Sequence, residues 1–598
     1  MDTSSATVQD QLRKAIDDEI KVSEQVTQEL KYRRNALAPI SRLPPETLAE
    51  IFSLLPYSAD DHEDVPYLEW IRATHVCRRW REIALHSPYL WNHINFTKLT
   101  LAGITEILAR AKMSPLHFEA KTTHWSITRF NAFGTQLEAH ISRIRDISIS
   151  GKPQTVIERL VSPAPALVSL SLTDSYHEHF FTQYIIPDSL FNGTAPKLTR
   201  LELIGCGIRW KSPLLKGLKT LTIRTPWSLT MPALEDWLAA LNEMSQLKTL
   251  ILNTATPAVS VEHTHISAPQ RTVTLPSLTH FNITASAKGC ALALAHLVLP
   301  VLSSLHVICK SHSTDGDDVR LLIPYAARVV HGLQDTTPLQ TILFNGEATL
   351  AEIVAWTVPD AGVEFYSPLD FEKATISAPL VLNVSPESRW REGTDTVLFD
   401  AMLSHLPLDA ISTLSAQNTT RLSKEVWLSH APRLTMLKRA VLVPTAVRAF
   451  RQMLEEGATP DGLPRLPQLT KLVLSEVSLT ALRAHHLRDM LVKRKEQGAP
   501  LEALDLRTCI GTESAFQMLS ETVGNVQVPE KIPQVELSAV FNWEGRVGPF
   551  DEGEERTDDD EYDDGPGPWY GPMDEDEEDE EDEDEDEFDD YGDDLYSW

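Results

Sequence analysis

The chain has 598 residues, enough for several domains at roughly 100–200 residues each, and 42% of them are apolar, so most of it can fold around a core. Its formal net charge is −31, but residues 551–598 alone hold 28 acids and one Arg, which leaves 57 acids against 53 Lys and Arg in the rest. A body so close to neutral lacks the general basic footprint that nucleic-acid binding needs.

In chain order, the first predicted element is a helix over Val8–Leu37. Ile16, Ile20, Leu30 and Leu37 fall near one stripe, and no Gly or Pro interrupts the segment. Ser23 and Thr27 break the stripe, which argues against a stable coiled coil. Two readings stay open: a solvated helix leaning on the next module, or a weak dimerisation helix.

Pro39 ends that helix. Ser41-Arg42-Leu43-Pro44-Pro45-Glu46 then leads into a second one, since Pro is tolerated in the first helical turn. Leu48, Ile51, Phe52 and Leu55 lie at i, i+3, i+4 and i+7, on one face. After Pro56 comes a polar loop, Tyr57 to Pro66, and then a predicted helix from about Tyr67 to His86. Ser87-Pro88-Tyr89-Leu90-Trp91 turns the chain away. A unit this small cannot bury all its large apolar groups, and leftover apolar surface marks a partner site.

The wording of this stretch resembles an F-box. The matching features are Leu-Pro-x-Glu at Leu43–Glu46, Ile51-Phe52, and Val76-Cys77-Arg78-Arg79-Trp80-Arg81. Pro88-Tyr89-Leu90-Trp91 and the upstream Arg33-Arg34-Asn35-Ala36-Leu37-Ala38-Pro39-Ile40 are similar to F-box proteins of mushroom-forming fungi. The resemblance covers about a tenth of the chain. It implies docking onto a Skp-type adaptor that connects to cullin and RING subunits. By motif position, the adaptor-binding residues are Leu43, Pro44, Ile51, Phe52, Leu55, Val76, Cys77 and Trp80. Leu43 and Pro44 would plug an apolar groove, and Trp80 would brace the helices or insert as an anchor. Cys77 reads as a small buried apolar group. The Tyr57–Pro66 loop is longer and more acidic than the family's usual link, so Trp70 and Ile71 are left out of the site.

From about residue 141 a pattern of apolar-x-x-apolar-x-apolar recurs. Examples are Leu167/Leu170/Leu172, Leu198/Leu201/Leu203, Leu218/Leu221/Ile223, Leu247/Leu250/Leu252 and Leu501/Leu504/Leu506. The last two apolar positions of each triplet fall on one side of a strand. This resembles a leucine-rich repeat, whose strands line the inner curve of a horseshoe. Leu198 to Cys206 and Leu501 to Cys509 match the full pattern, which makes those two cysteines structural. Spacing is irregular, so helices such as Asp236–Leu241 are expected between strands. Residues 345–431 fit poorly, although Leu380–Val384 looks like a strand. The expected binding surface is the residue between each apolar pair: Ser171, Glu202, Thr222, Ile251, Asn282, His306, Leu343, Val473 and Asp505. An ordinary α/β domain is the competing fold.

Asp574 to Glu587 is fourteen consecutive acids. Such a run repels itself and is expected to be disordered. It serves as a solubilising tail or as a binder of basic proteins.

No catalytic constellation emerges. Gly-x-Ser-x-Gly, a phosphate loop and His-Glu-x-x-His are all missing from the sequence, and Gly205-Cys206-Gly207 reads as a turn. His177/His179, His263/His265 and His485/His486 lack further ligands at metal spacing, so neither metal nor cofactor is expected. The five cysteines are widely spaced, which suits reduced thiols. With no secretory signal and no membrane-length apolar run, the expected location is cytoplasmic, nuclear or both.

The expected fold class is therefore α/β. A helical N-terminus (1–38) precedes a small all-α F-box (39–95), an irregular leucine-rich-repeat solenoid (96–545) with a curved parallel sheet and outer helices, and a disordered acidic tail (546–598). The expected role is a non-catalytic substrate-recognition subunit of a Skp–cullin–F-box ubiquitin ligase. The alternatives are a scaffold that uses the repeats and tail to bind basic partners and, last, an enzyme within residues 345–430.

Overall fold

The computed structural model describes residues 3–55, 70–175, 184–225, 231–257, 269, 271–334, 338–347, 350–359, 378–387, 389–391, 393–417, 422–456 and 464–530. The chain divides into two units, Met1–Gly545 and Arg546–Trp598. The second unit, with the acidic run, lies outside the described residues, as do the 57–66 loop and the pairs His177/His179 and His263/His265.

The first helix, α1, is Thr3–Ala36. Every residue from 10 to 34 is exposed, including the stripe residues Ile16, Ile20 and Leu30. The stripe therefore does not lean on the following module. Helix α2, Pro45–Ser53, starts at the Pro pair as expected. The single helix expected to His86 is instead two, α3 (Ile71–Thr74) and α4 (Arg78–Leu85). Cys77 between them is extended, with φ −161° and ψ 164°. The Thr74 hydroxyl donates to the Ile71 carbonyl at 2.6 Å, and β-branched Val76 follows. Local side-chain bonding and χ1 crowding both work against continuing the helix there.

The described residues of the first unit are organised around a 17-stranded sheet. Its strands are β1 (His93–Asn95), β2 (Leu116–Lys121), β3 (Ile144–Gly151), β4 (Ser169–Asp174), β5 (Arg200–Ile204), β6 (Thr220–Arg224), β7 (Thr249–Asn253), β8 (His280–Ser286) and β9 (Ser304–Ser311). Then come β10 (Thr341–Glu347), β11 (Leu350–Trp356), β12 (Leu380–Pro386), β13 (Thr413–Gln417), β14 (Arg439–Leu442), β15 (Lys471–Leu474), β16 (Ala503–Asp505) and β17 (Val526–Gln527). From β1 to β9 each strand pairs in parallel with the next. From β3 to β9 the register is constant. Leu170, Leu201, Leu221, Leu250, Phe281 and Leu305 form one cross-strand row, and Leu172, Leu203, Ile223, Leu252, Ile283 and Val307 the next. Both rows are buried in the main core, against helices such as Leu234–Asn242 and Ala287–His296. Parallel strands need such crossovers, and the triplet spacing puts both apolar residues on the helix side.

The order breaks after β9. Its neighbour is β12, not β10. Strand β11 lies antiparallel between β12 and β10, and parallel pairing resumes from β10 to β13 and on to β17. The expectation of a parallel sheet is thus corrected at one strand, within the stretch whose sequence fits the repeat poorly. Strands here are buried on both faces. Ile342, Phe344, Ile353 and Leu382 join the main core, while Leu343, Val354, Val381, Val441 and Val473 form a second apolar cluster with Trp356 and Ala378. Glu352 shares this second face and is buried. It accepts hydrogen bonds from Asn383 at 2.8 Å and Asn345 at 3.4 Å, and burial pushes its carboxyl up.

One device recurs between successive helices. Arg328 donates to the carbonyls of Leu294 and Leu297, and Arg433 to those of Leu403 and Leu406. Arg494 donates to Arg465, Leu466 and Leu469. Each guanidinium reaches back 25–34 residues. Arg328 and Arg433 reach carbonyls at the end of the preceding helix, groups that a helix cannot satisfy internally, whereas Arg494 reaches the segment that leads into β15.

The sulfur chemistry is that of buried groups. Cys206 and Cys509 are buried, and burial pushes both thiols up to about 12. Cys509 donates to the Leu474 carbonyl at 3.2 Å. Gly205 has φ +72°, and a Cβ there would meet the Asp174 carbonyl oxygen at 2.5 Å. The Gly205–Gly207 segment is a bend followed by a short strand, Cys206–Ile208, paired with Tyr184–Ile186. It is more than the simple turn its sequence implies.

Candidate adaptor-docking site

The helical module is held by polar bonds to the backbone and by aromatic packing. A short 3-10 turn, Pro39–Arg42, leads into the Leu-Pro pair. The Ser41 hydroxyl donates to the Asn35 carbonyl at 2.7 Å. The Arg79 guanidinium, from α4, donates to the carbonyls of Ser41 and Leu43, the latter at 2.7 Å. These charge-assisted bonds fix where Leu43 and Pro44 sit. Phe52 of α2 and Trp80 of α4 pack with ring centroids 5.1 Å apart and planes at 51°. Trp70 is fully buried, edge-on to Trp91 at 4.9 Å. The Trp91 indole donates to the Ala84 carbonyl at 2.8 Å, and the Arg110 guanidinium lies 4.5 Å from its ring centre. Arg110 belongs to the helix Leu101–Ala111, so the module is stitched to the helix that links β1 and β2.

The eight residues singled out by motif divide by exposure. Ile51, Leu55 and Val76 are 39, 37 and 60% exposed, and Pro44 is also on the surface. Leu43, Cys77 and Trp80 are half-buried, and Phe52 is buried. Trp80 therefore braces α2 rather than projecting as a free anchor. Three further apolar groups reach solvent: Leu54, 78% exposed, Ile40 and Tyr89. Leu54 sits one residue from Leu55 at the end of α2, a helix-end position that the i, i+3, i+4 pattern does not reach. Tyr89 lies near Glu50 and Glu46. Burial and then the Glu50 charge hold its phenol above the ordinary value, against a hydrogen bond with Ser87. Arg79, one of three arginines in Arg78-Arg79-Trp80-Arg81, carries no pattern that marks it as the residue holding the Leu-Pro segment.

Residues 40–97 match the F-box-like family model. The chain carries an F-box-like domain. The exposed apolar groups of α2 and of the α3–α4 junction thus belong to a domain type that suggests binding to a Skp-type adaptor. No curated protein matches the chain. Among solved structures, the crystal structure of the Rad7 and Elc1 complex in yeast is similar over 90% of this chain and 96% of that chain, at 13% identity and a TM-score of 0.24. At that score the likeness bears on neither fold nor function.

A second surface lies along the sheet, on the face opposite the main core. Ser171, Glu202, Thr222, Ile251, Asn282 and His306 occupy one cross-strand row, as their place in the triplets implies, although Thr222 is buried within it. The Ser171 hydroxyl donates to Glu202 at 3.1 Å, and burial lowers the affinity of His306 for a proton. Leu343 and Val473 do not line this surface, because both are buried in the second apolar cluster. Asp505 is buried too, paired with Arg507 at 2.7 Å. Among the described residues, no group of three or more His, Cys, Asp or Glu side chains could hold a metal ion.

Proposed function

We propose that this protein is the target-recruiting subunit of a Skp–cullin–F-box ubiquitin ligase. The carrying observation is exposed apolar surface on an F-box-like domain: Ile51, Leu54, Leu55 and Val76 remain in water while Phe52, Trp70 and Trp80 brace the helices beneath. Such surface is costly for a lone protein and is expected to be covered by a partner. Leu43, Pro44, Ile51, Leu55 and Val76 would contact the adaptor, with Phe52, Cys77 and Trp80 supporting them. The parallel strands act as an irregular leucine-rich-repeat solenoid, and the mixed row from Ser171 to His306 contacts the target. The Pro88–Trp91 ending supports a fungal F-box type. Ubiquitin transfer is performed in trans by other subunits, and this chain contributes proximity, in the cytoplasm or nucleus.

The test is affinity purification of the full chain from cells with and without proteasome inhibition. A recruiting subunit brings down adaptor and cullin, together with a protein that accumulates on inhibition. Adaptor without cullin would favour a scaffold instead.

A further inference from the structure

We propose that the edge of the sheet at the amino ends of β3–β7 is a docking ridge for an acidic protein segment. This deepens the recruiting role proposed above, on which it rests, by assigning a chemistry to the target.

The ridge follows from the register. Backbone hydrogen bonds link residues 145, 168, 199, 219 and 248 in one row across five neighbouring strands. The Val168 amide donates to Arg145, Thr199 to Val168, Lys219 to Thr199 and Lys248 to Lys219, at 2.7–2.9 Å. Arg145, Lys219 and Lys248 therefore lie in one line. Lys197 and Arg200 flank Thr199, and Lys216 sits in the turn just before Lys219. All six bases are exposed. Among the described residues none of the six takes part in an ion pair. Three bases elsewhere on these strands and their connections are paired: Arg159 with Glu138, Arg209 with Asp188 and Lys211 with Asp236. The acid beside the row, Asp146, is engaged by His117.

At a strand spacing of about 4.8 Å the row spans roughly 19 Å, the length of about six residues of extended chain. A short run of Asp and Glu matches that length and sign. Nucleic acid fits less well. The row contains no aromatic side chain on which a base could stack, and the body of the protein is slightly acidic, with 57 acids against 53 bases before residue 551.

The experiment measures binding of a fluorescent ten-residue Asp/Glu peptide to the full chain by anisotropy, at roughly 50 and 300 mM salt. The variant K219E/K248E should bind about thirtyfold more weakly, since two attractions become two repulsions, and salt should weaken the wild type. A control charge reversal, K495E/R488E on the helix Ala481–Glu496, should leave binding unchanged. Adaptor capture should be the same in all three proteins. Peptide binding that ignores K219E/K248E overturns the ridge, as does an oligonucleotide of equal charge binding more tightly through the same residues. Loss of wild-type adaptor capture with peptide binding intact would instead sink the ligase reading and leave the ridge standing.

Discussion

Replacing Arg494 by Met tests how the helix Ala481–Glu496 is fastened to the segment before β15. Arg494 is 4% exposed, with no carboxylate among its hydrogen-bond partners. Burial pulls its pKa down to about 10, so it is still charged at neutral pH. Its guanidinium donates to the Arg465 carbonyl at 2.6 Å, to Leu469 at 3.3 Å and to Leu466. Hydrogen bonds from a charged donor contribute roughly 1.5–3 kcal/mol each, offset in part by the cost of burying the charge. Met fills the stem's volume but leaves the carbonyls without this donor, so the net loss should be about 3 kcal/mol. That raises the local opening equilibrium about a hundredfold. Native-state hydrogen exchange on β15 and β16 reads this directly, with β4–β7 as an internal reference. Lys at 494 should recover only part of the loss, because an ammonium cannot fork to three carbonyls. Exchange in β15 and β16 that is unchanged by R494M would refute the role given to these arginines.

The turn glycine, the cysteines and one histidine give further checks. Gly205→Ala forces a positive φ and a clash with the Asp174 carbonyl, so the denaturation midpoint should fall by the equivalent of about 2–3 kcal/mol; an unmoved midpoint would contradict the bend geometry. In the folded protein at pH 8, half-buried Cys77 should be alkylated well before Cys206 and Cys509, whose thiols burial pushes up to about 12; mass spectrometry showing equal rates would count against their structural role. Burial, and then the neighbouring His117, lowers the pKa of His93 from 6.5 to about 4 against the pull of Asp146. The unfolded chain thus takes up a proton there between those values that the folded chain refuses. The stability contributed by neutral His93 is complete above about pH 6.5 and is lost as pH falls toward 4. His93→Gln should flatten that part of the stability–pH curve, and an equally steep curve would rule the assignment out.

Much of this architecture is legible in the sequence because it rests on periodicity. Leu201 and Leu203, or Leu250 and Leu252, announce a strand with one buried face, and the register keeps the triplets of β3–β9 in line. The pattern fails where strands are covered on both faces. Around Ile342–Leu343–Phe344 and Leu380–Val381–Leu382 consecutive apolar residues replace alternation, and nothing in the wording reveals that β11 runs backwards between two such strands. In the helical module the motif locates the F-box-like domain, but which of its residues face water depends on tertiary packing. Phe52 and Trp80 turn toward each other, and Leu54, one position off the apolar stripe, stays exposed. Arg79 and Arg494 were not legible either. Each acts on backbone carbonyls far back along the chain, and a carbonyl leaves no trace in a sequence.

The exposed apolar groups of the F-box-like domain are proposed to dock an adaptor. The most direct measurement is titration of the purified full chain against a purified Skp-type adaptor by isothermal calorimetry. The wild type should form a 1:1 complex. Ile51→Asp/Val76→Asp places two charges on surface that is already exposed and leaves the Phe52–Trp80 packing alone, so it should abolish binding without lowering the melting temperature. A wild-type chain that shows no heat of binding, or a double variant that binds like the wild type, would contradict the account.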